Sequence, residues 1–423
     1  MLCAMFAAAS RGYIFMSENR KRVLFVHHGS GMGGAPQLLL KFLLRLDTQK
    51  YKPVVWCIRR SSASDLFEQH RFKVIIDTAA CPFLHISDGF YGFRHPHLVI
   101  KMLWGQIRSY FTAKKIFKEI NPDLIHINSV VVPGILRAAY EQECPVIVNI
   151  LECVHAGYTG FRKNIIIKKT LKWGDYFVFM LESEAKKWKV LGNENVVVVY
   201  DFIEQVSGVG CQVSGTDYRL PITNNQLPSI GYLGRFTKAK GVHYLLESLG
   251  ILKQRGIKFH AYLIGPFAEM PLENQKSKIK NYVGRLPYFD LLNLIVKREN
   301  IEEEVTFTGE VTNVHEVITQ LDVLAAPFTE SHFSRLCGEA AMAGKVIVSF
   351  DIDGPGEEII DGETGFLVKP FNVKEFADKL ELALTKPDLR KEMEGKAKEH
   401  GKKVFDADKN FAKVMELYGK AFG

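Results

Sequence analysis

The 423-residue chain predicts an α/β protein built from two Rossmann-like domains, each a doubly wound parallel sheet. Three observations carry this prediction. Short apolar strand segments alternate with helical patterns along most of the chain, and each half opens on a strand, a glycine-bearing loop and an apolar helix. Between the halves, residues 203–228 are rich in Gly, Ser, Thr, Asn and Gln and show no sustained period. Length agrees, since 423 residues exceed what one hydrophobic core usually serves.

The elements follow in order. The opening MLCAMFAAASRGYIFM holds a short apolar run without a basic start, so residues 1–20 read as a disordered extension, with Met16 as an alternative initiator. Strand Val23–His27, loop Gly29-Ser-Gly-Met-Gly-Gly34 and helix Gln37–Leu46 begin the first domain, expected over residues 21–205. Further strands are expected at Pro53–Ile58, Lys73–Ile76, Leu124–Ile127, Val146–Ile150, Tyr176–Met180 and Val196–Tyr200. After a linker at 206–228, strand Ser229–Leu233, loop Gly234–Gly241 and helix Val242–Leu252 open the second domain, expected over 229–408. Its other strands fall at His260–Ile264, Val305–Thr308, Val323–Ala326 and Val346–Phe350. Leu336, Ala340 and Ala343 recur at helical spacing behind Ser334, a helix N-cap by type, and Gly344 sits where a C-terminal stop belongs. Glu339 therefore lies near the mouth of a strand–loop–helix unit. A carboxylate there must reach water or hold a polar ligand such as sugar hydroxyls, because burying it unpaired is costly.

Composition narrows the class. At 47% hydrophobic and 24% charged residues the chain is an ordinary globular protein, and no run of about 18 uncharged apolar residues marks a membrane span. Its seven cysteines form no CxxC pair and no cluster with zinc spacing, which reads as a reduced, cytoplasmic protein. The net charge of +8 comes with no nucleic-acid recognition module. From Tyr91 to Lys118 there are six Lys/Arg and no Asp/Glu, with Lys101, Arg108 and Lys115 on one helical face and Leu103, Ile107, Tyr110 and Phe117 roughly on another. Phe161 to Lys172 repeats the character, so segments 91–118 and 161–172 are expected to meet an anionic membrane surface peripherally.

Gly29, Gly31 and Gly34 satisfy G-x-G-x-x-G between a strand and a helix, where glycine admits an anion to the backbone and free amides favour negative charge. The acidic residue expected about twenty positions on is absent. Arg59 and Arg60 stand there instead, which keeps an NADP-dependent oxidoreductase open as an alternative.

Three segments in one order carry a resemblance: Gly234-Arg235-Phe-Thr-Lys-Ala-Lys240-Gly241, the stretch from Pro327 to Val348 around Glu339, and Gly354-Pro-Gly-Glu357-Glu-Ile-Ile-Asp-Gly362-Glu-Thr-Gly365. Together they resemble the donor half of glycosyltransferase family 4, retaining nucleotide-sugar-dependent enzymes of the GT-B fold, in which two Rossmann-like domains face a central cleft. A weaker match begins near residue 22. The resemblance implies that the last helix, about 409–423, packs back on the first domain. It implies that Arg235 and Lys240 neutralise the leaving diphosphate, by fork and by point charge, and that Glu339, as second Glu of the Glu-x7-Glu motif, holds the nucleotide ribose. Counting back eight positions from Glu339 lands on Ser331, so Glu330, nine away, is the candidate for the first, catalytic Glu. Glu357 and Gly356 match the acidic residue and glycine-rich loop at the donor, with Glu358 expected in solvent. Gly33 and Gly34 match a glycine loop facing the cleft. His155 is the candidate for the family's histidine near the donor sugar; a variant with adjacent His-Glu would align Glu152 and leave Leu151 in the histidine's place. Asp351-Ile-Asp353 fits a metal-binding D-x-D pattern, but Arg235 and Lys240 already supply the charge, so no essential metal and no cofactor beyond the nucleotide sugar is expected. The implied activity is transfer of a sugar to a lipid-linked or other glycan acceptor of cell-surface polysaccharide or glycolipid, such as lipopolysaccharide or capsule, with no nucleic-acid partner. A non-catalytic nucleotide-sugar-binding partner protein is the other alternative, since relatives often show Tyr-Asn-Phe where this chain has Tyr200-Asp201-Phe202.

Overall fold

A computed structural model describes residues 20–29, 31, 33–83, 96–154, 160–203, 227–266, 288–309, 311 and 313–423. His155, the first nineteen residues and nearly all of the expected linker lie outside them.

The first domain holds β1 (Lys21–His27), β2 (Tyr51–Cys57), β3 (Lys73–Ile76), β4 (Leu124–Ile127), β5 (Val146–Ile150), β6 (Tyr176–Phe179) and β7 (Val196–Val198), all parallel in the order β3-β2-β1-β4-β5-β6-β7. Its helices are α1 (Gly34–Arg45), α2 (Ser62–Gln69), α3 (Pro96–Ile120), α4 (Pro133–Tyr140), α5 (Phe161–Trp173) and α6 (Glu182–Lys187). The second sheet runs parallel in the order β10-β9-β8-β11-β12-β13, from β8 (Ser229–Leu233), β9 (His260–Ile264), β10 (Val305–Gly309), β11 (Val323–Ala326), β12 (Val346–Phe350) and β13 (Phe366–Val368). With it go α7 (Val242–Gln254), α8 (Tyr288–Arg298), α9 (Val314–Thr319), α10 (Arg335–Ala343), α11 (Pro355–Glu358), α12 (Val373–Thr385), α13 (Pro387–Val404) and α14 (Ala407–Phe422).

Central strands are apolar end to end because helices cover both faces of each sheet. Every residue of β4, β5, β11 and β12 is buried. In each sheet the strand order reverses beside the first strand, at β1/β4 and at β8/β11, so a crevice opens outside the carboxyl ends of those strands. Strand β13 escaped the sequence reading, since three residues behind a turn display no period.

Helix α14 returns to the first domain. Val414, Leu417 and Tyr418 are buried in one cluster with Val23, Phe25, Leu39 and Phe42, and the Tyr418 hydroxyl lies 2.8 Å from Nδ1 of His126. Nε2 of that ring lies 2.8 Å from Asn149, which donates to Asn128 at 2.9 Å. Burial pushes His126 down to about 4, so the ring serves this line as a neutral link.

Candidate active site

In the second domain the sequence-matched motifs become three stacked loops. Gly241 closes the 234–241 loop with φ +68°, and a Cβ there would stand 1.7 Å from the Pro327 carbonyl oxygen, so only glycine lets this loop rest on the segment after β11. Gly354, φ +102°, is pressed in the same way against the His332 carbonyl, 1.9 Å from where its Cβ would be. The contacts place Lys240 within the 327–333 loop. Its ammonium lies 2.6 Å from Nε2 of His332 and 4.5 Å from the centroid of Phe328. Burial, then the charge of Lys240, push His332 down to about 3, so the imidazole is neutral. Its Nδ1–H donates to the Glu330 carbonyl at 2.7 Å and Nε2 accepts from Lys240. Lys240 and Glu330 thus share one hydrogen-bonded loop through His332, which the sequence reading did not single out. Arg235 is exposed at the mouth of the 234–241 loop, its carbonyl accepting from the Tyr232 hydroxyl at 2.9 Å.

Helix α10 carries the second group. Ser334 caps it, its hydroxyl accepting from Cys337 N–H at 3.3 Å, and Gly344 ends it at φ +66°. Glu339 is half-buried, 3.0 Å from the Arg335 guanidinium; burial raises its carboxyl and Arg335 opposes the rise. Arg335 Nε also lies 2.8 Å from Asp201, a 2% exposed carboxylate of the first domain whose other oxygen is 3.9 Å from Lys41. Asp201 is therefore charge-compensated across the domain junction. Gly34 at the start of α1 comes close to the same arginine, its Cβ position being 3.3 Å from Arg335 Cδ. This brings the Gly33–Gly34 end of the first-domain loop over the helix bearing Glu339.

Around α11 the structure parts from the simplest expectation. Glu357 accepts hydrogen bonds from Glu182 N–H at 2.7 Å and Ser183 N–H at 2.8 Å, with the Tyr200 hydroxyl at 3.3 Å, so it caps α6 of the first domain. Glu358, expected in solvent, is 1% exposed and accepts from Ser334 N–H at 2.8 Å. In a four-residue helix, adjacent carboxylates point to different neighbours, one to α6 and one to the start of α10. Asp353 is paired with Lys187 and accepts from Ser331 at 2.9 Å, while Asp351 is exposed. Gly356 adjoins it, its Cβ position being 2.8 Å from Asp351.

The first-domain side of the crevice gathers His27 and His28 at the end of β1, Asn128 and Ser129 after β4, and Glu152 after β5. Ser129 donates to Glu152 at 2.7 Å, and His28 Nε2 lies 3.6 Å from the same carboxylate oxygen. Burial pushes Glu152 up to about 7, with the Ser129 hydrogen bond opposing. Arg60 pairs with Asp65 at 3.0 Å and with Glu68 at 2.9 Å on α2, which engages one of the two arginines that pointed to a 2′-phosphate.

Residues 221–400 match the family model described as glycosyl transferases group 1. The two-domain fold is that of known GT-B structures: Anabaena HepE in complex with UDP superposes with a TM-score of 0.72 at 16% identity, covering 94% of this chain and 100% of that one. Curated relatives include the capsular polysaccharide biosynthesis glycosyltransferase CapM of Staphylococcus aureus, 24% identical over 225 residues, 49% of this chain and 52% of CapM. The N,N'-diacetylbacillosaminyl-diphospho-undecaprenol alpha-1,3-N-acetylgalactosaminyltransferase of Campylobacter jejuni is 24% identical over 339 residues, 74% of this chain and 81% of that protein. The first curated relatives are matched over about half of their length or less, 39%, 52% and 35%.

Proposed function

We propose that the chain is a family 4 retaining glycosyltransferase that moves a hexosyl group from a nucleoside-diphosphate sugar to a lipid-linked glycan, in capsule or lipopolysaccharide-type biosynthesis on the cytoplasmic face of the membrane. The observation that supports this is that Lys240 and the Glu330 carbonyl meet at His332, in the loop leading into the helix on which Arg335 joins Glu339 and approaches Gly34. UDP and UDP-glucose in the HepE structures support a nucleotide-sugar donor, and the Campylobacter relative's name supports a lipid-linked acceptor.

In this reading Glu339 takes the ribose hydroxyls, and Gly33, Gly34 and Gly356 bring backbone amides to the donor. Arg235 and Lys240 carry the charge that builds on the diphosphate as the sugar–phosphate bond breaks. Glu330 flanks the sugar, and Glu357 reaches the donor only by giving up the α6 amides. The departing diphosphate takes the acceptor proton on the same face, which retains configuration. No metal or other cofactor enters.

The test is a melting-temperature screen of the protein with UDP, GDP, ADP, CMP and NADP, repeated with Glu339→Ala. One nucleoside diphosphate at about a hundred times its Kd should stabilise by about 2.7 kcal/mol, and Glu339→Ala should lose most of that shift. Stabilisation by NADP alone, unchanged in the variant, refutes the transferase reading. Anomeric NMR of the product from the matching sugar nucleotide decides retention.

A further inference from the structure

Helix α3 was expected to divide into a basic and an apolar face, but its apolar residues fall on two faces. Ala113, Ile116, Phe117 and Ile120 are buried in the first-domain core. Ile100 (55% exposed), Leu103 (52%), Trp104 (68%), Ile107 (50%) and Phe111 (65%) stand in solvent. Their spacing of three and four forms one stripe along three turns of helix. Single exposed apolar residues are ordinary, whereas a contiguous stripe ending in Trp and Phe marks a contact surface. Helix α4 packs against both α3 and α5, and α5 contributes Phe161 at 69% and Ile165 at 43% exposure.

Charge identifies the occupant. Helix α3 carries Lys101, Arg108, Lys114, Lys115 and Lys118 against Glu119 alone, and α5 carries Arg162, Lys163, Lys168, Lys169 and Lys172 with no acidic residue. Arg108 is tied to the Ala79 carbonyl at 2.7 Å and Lys114 to Glu141 at 2.8 Å, while Lys101 and Lys115 flank the stripe. Apolar side chains edged by cations match an interface whose outer layer is anionic and whose next layer is hydrocarbon.

We infer that α3, with α5 beside it, lies in an anionic bilayer surface, with Ile100, Leu103, Trp104, Ile107 and Phe111 sunk to the headgroup–acyl boundary and the neighbouring lysines on lipid phosphates. The attachment site is a stripe of inserted side chains, narrower than the basic segments around it, and it holds whether or not the chain transfers sugar. The full chain should co-sediment with phosphatidylcholine vesicles containing phosphatidylglycerol and stay in solution with phosphatidylcholine alone. Trp104→Glu combined with Phe111→Glu should weaken binding by about tenfold or more with an unchanged melting temperature, since both side chains are already in water. Trp104→Phe should keep binding but lose the lipid-induced blue shift of the fluorescence. Absence of binding, equal binding to both vesicle types, or binding indifferent to the double variant overturns the inference. A concentration-dependent dimer abolished by the same variant overturns it in favour of a second copy of this chain.

Discussion

Replacing Lys240 with alanine should lower turnover by about 10²–10³-fold, comparable to removing one preorganised donor from a developing anion. Its ammonium rests against a neutral imidazole and an aromatic face, which hold it in place beside the Glu330 loop. The stability cost should be small, about 1 kcal/mol, from leaving Nε2 of His332 without its donor. Lys240→Arg should rescue poorly, because a planar fork replaces a compact ammonium seated 2.6 Å from the ring nitrogen. Steady-state kinetics with the sugar nucleotide identified by the melting screen give the answer. Activity within fivefold of the parent, in a folded variant, would remove Lys240 from the donor site.

Why the loop bearing Lys240 was legible and the contacts of its side chain were not follows from separation along the chain. A strand, a glycine loop and a helix are local, so the positions of β1 to β12, the Ser334 cap and the Gly344 stop could be read from period and residue type. His332 meets Lys240 across 92 residues, Glu357 meets Glu182 across 175, and Asp201 meets Arg335 only through the domain junction. No local pattern encodes those pairs. The only sequence signal for His332 is that it follows Glu330 by two positions in a loop already under suspicion. Glu357 and Glu358 show the converse. Adjacent acidic residues look alike in sequence, and their opposite fates were decided by which amides, those of α6 or that of Ser334, came within reach. The two faces of α3 were likewise invisible, since Phe117 and Phe111 differ only in what the fold sets against them.

Glu152→Gln should stabilise the protein at pH 8 by roughly 3 kcal/mol and change it little at pH 5. The native carboxyl titrates at about 7 against an ordinary value of 4.5, because burial opposes its charge, and that displacement corresponds to roughly 3 kcal/mol at 1.36 kcal/mol per unit. Between pH 4.5 and 7 the native state holds a proton that the unfolded state has released, so stability falls as pH rises through this window and levels off above it. Only 14% of the side chain is exposed, which leaves little solvent to screen the penalty. Glutamine keeps the shape and the hydrogen bond from Ser129 while never ionising, so its advantage appears only where the parent is charged. A destabilising carboxylate at the crevice fits a residue kept for chemistry rather than for folding. Ionised, it is the acceptor a sugar hydroxyl needs, so parent turnover should climb as pH passes through about 7 and the variant should flatten that climb. Melting temperatures shifted equally at pH 5 and pH 8, or a variant less stable than the parent at pH 8, would show that Glu152 is not a strained acid, and its claim on the site would fall with that result.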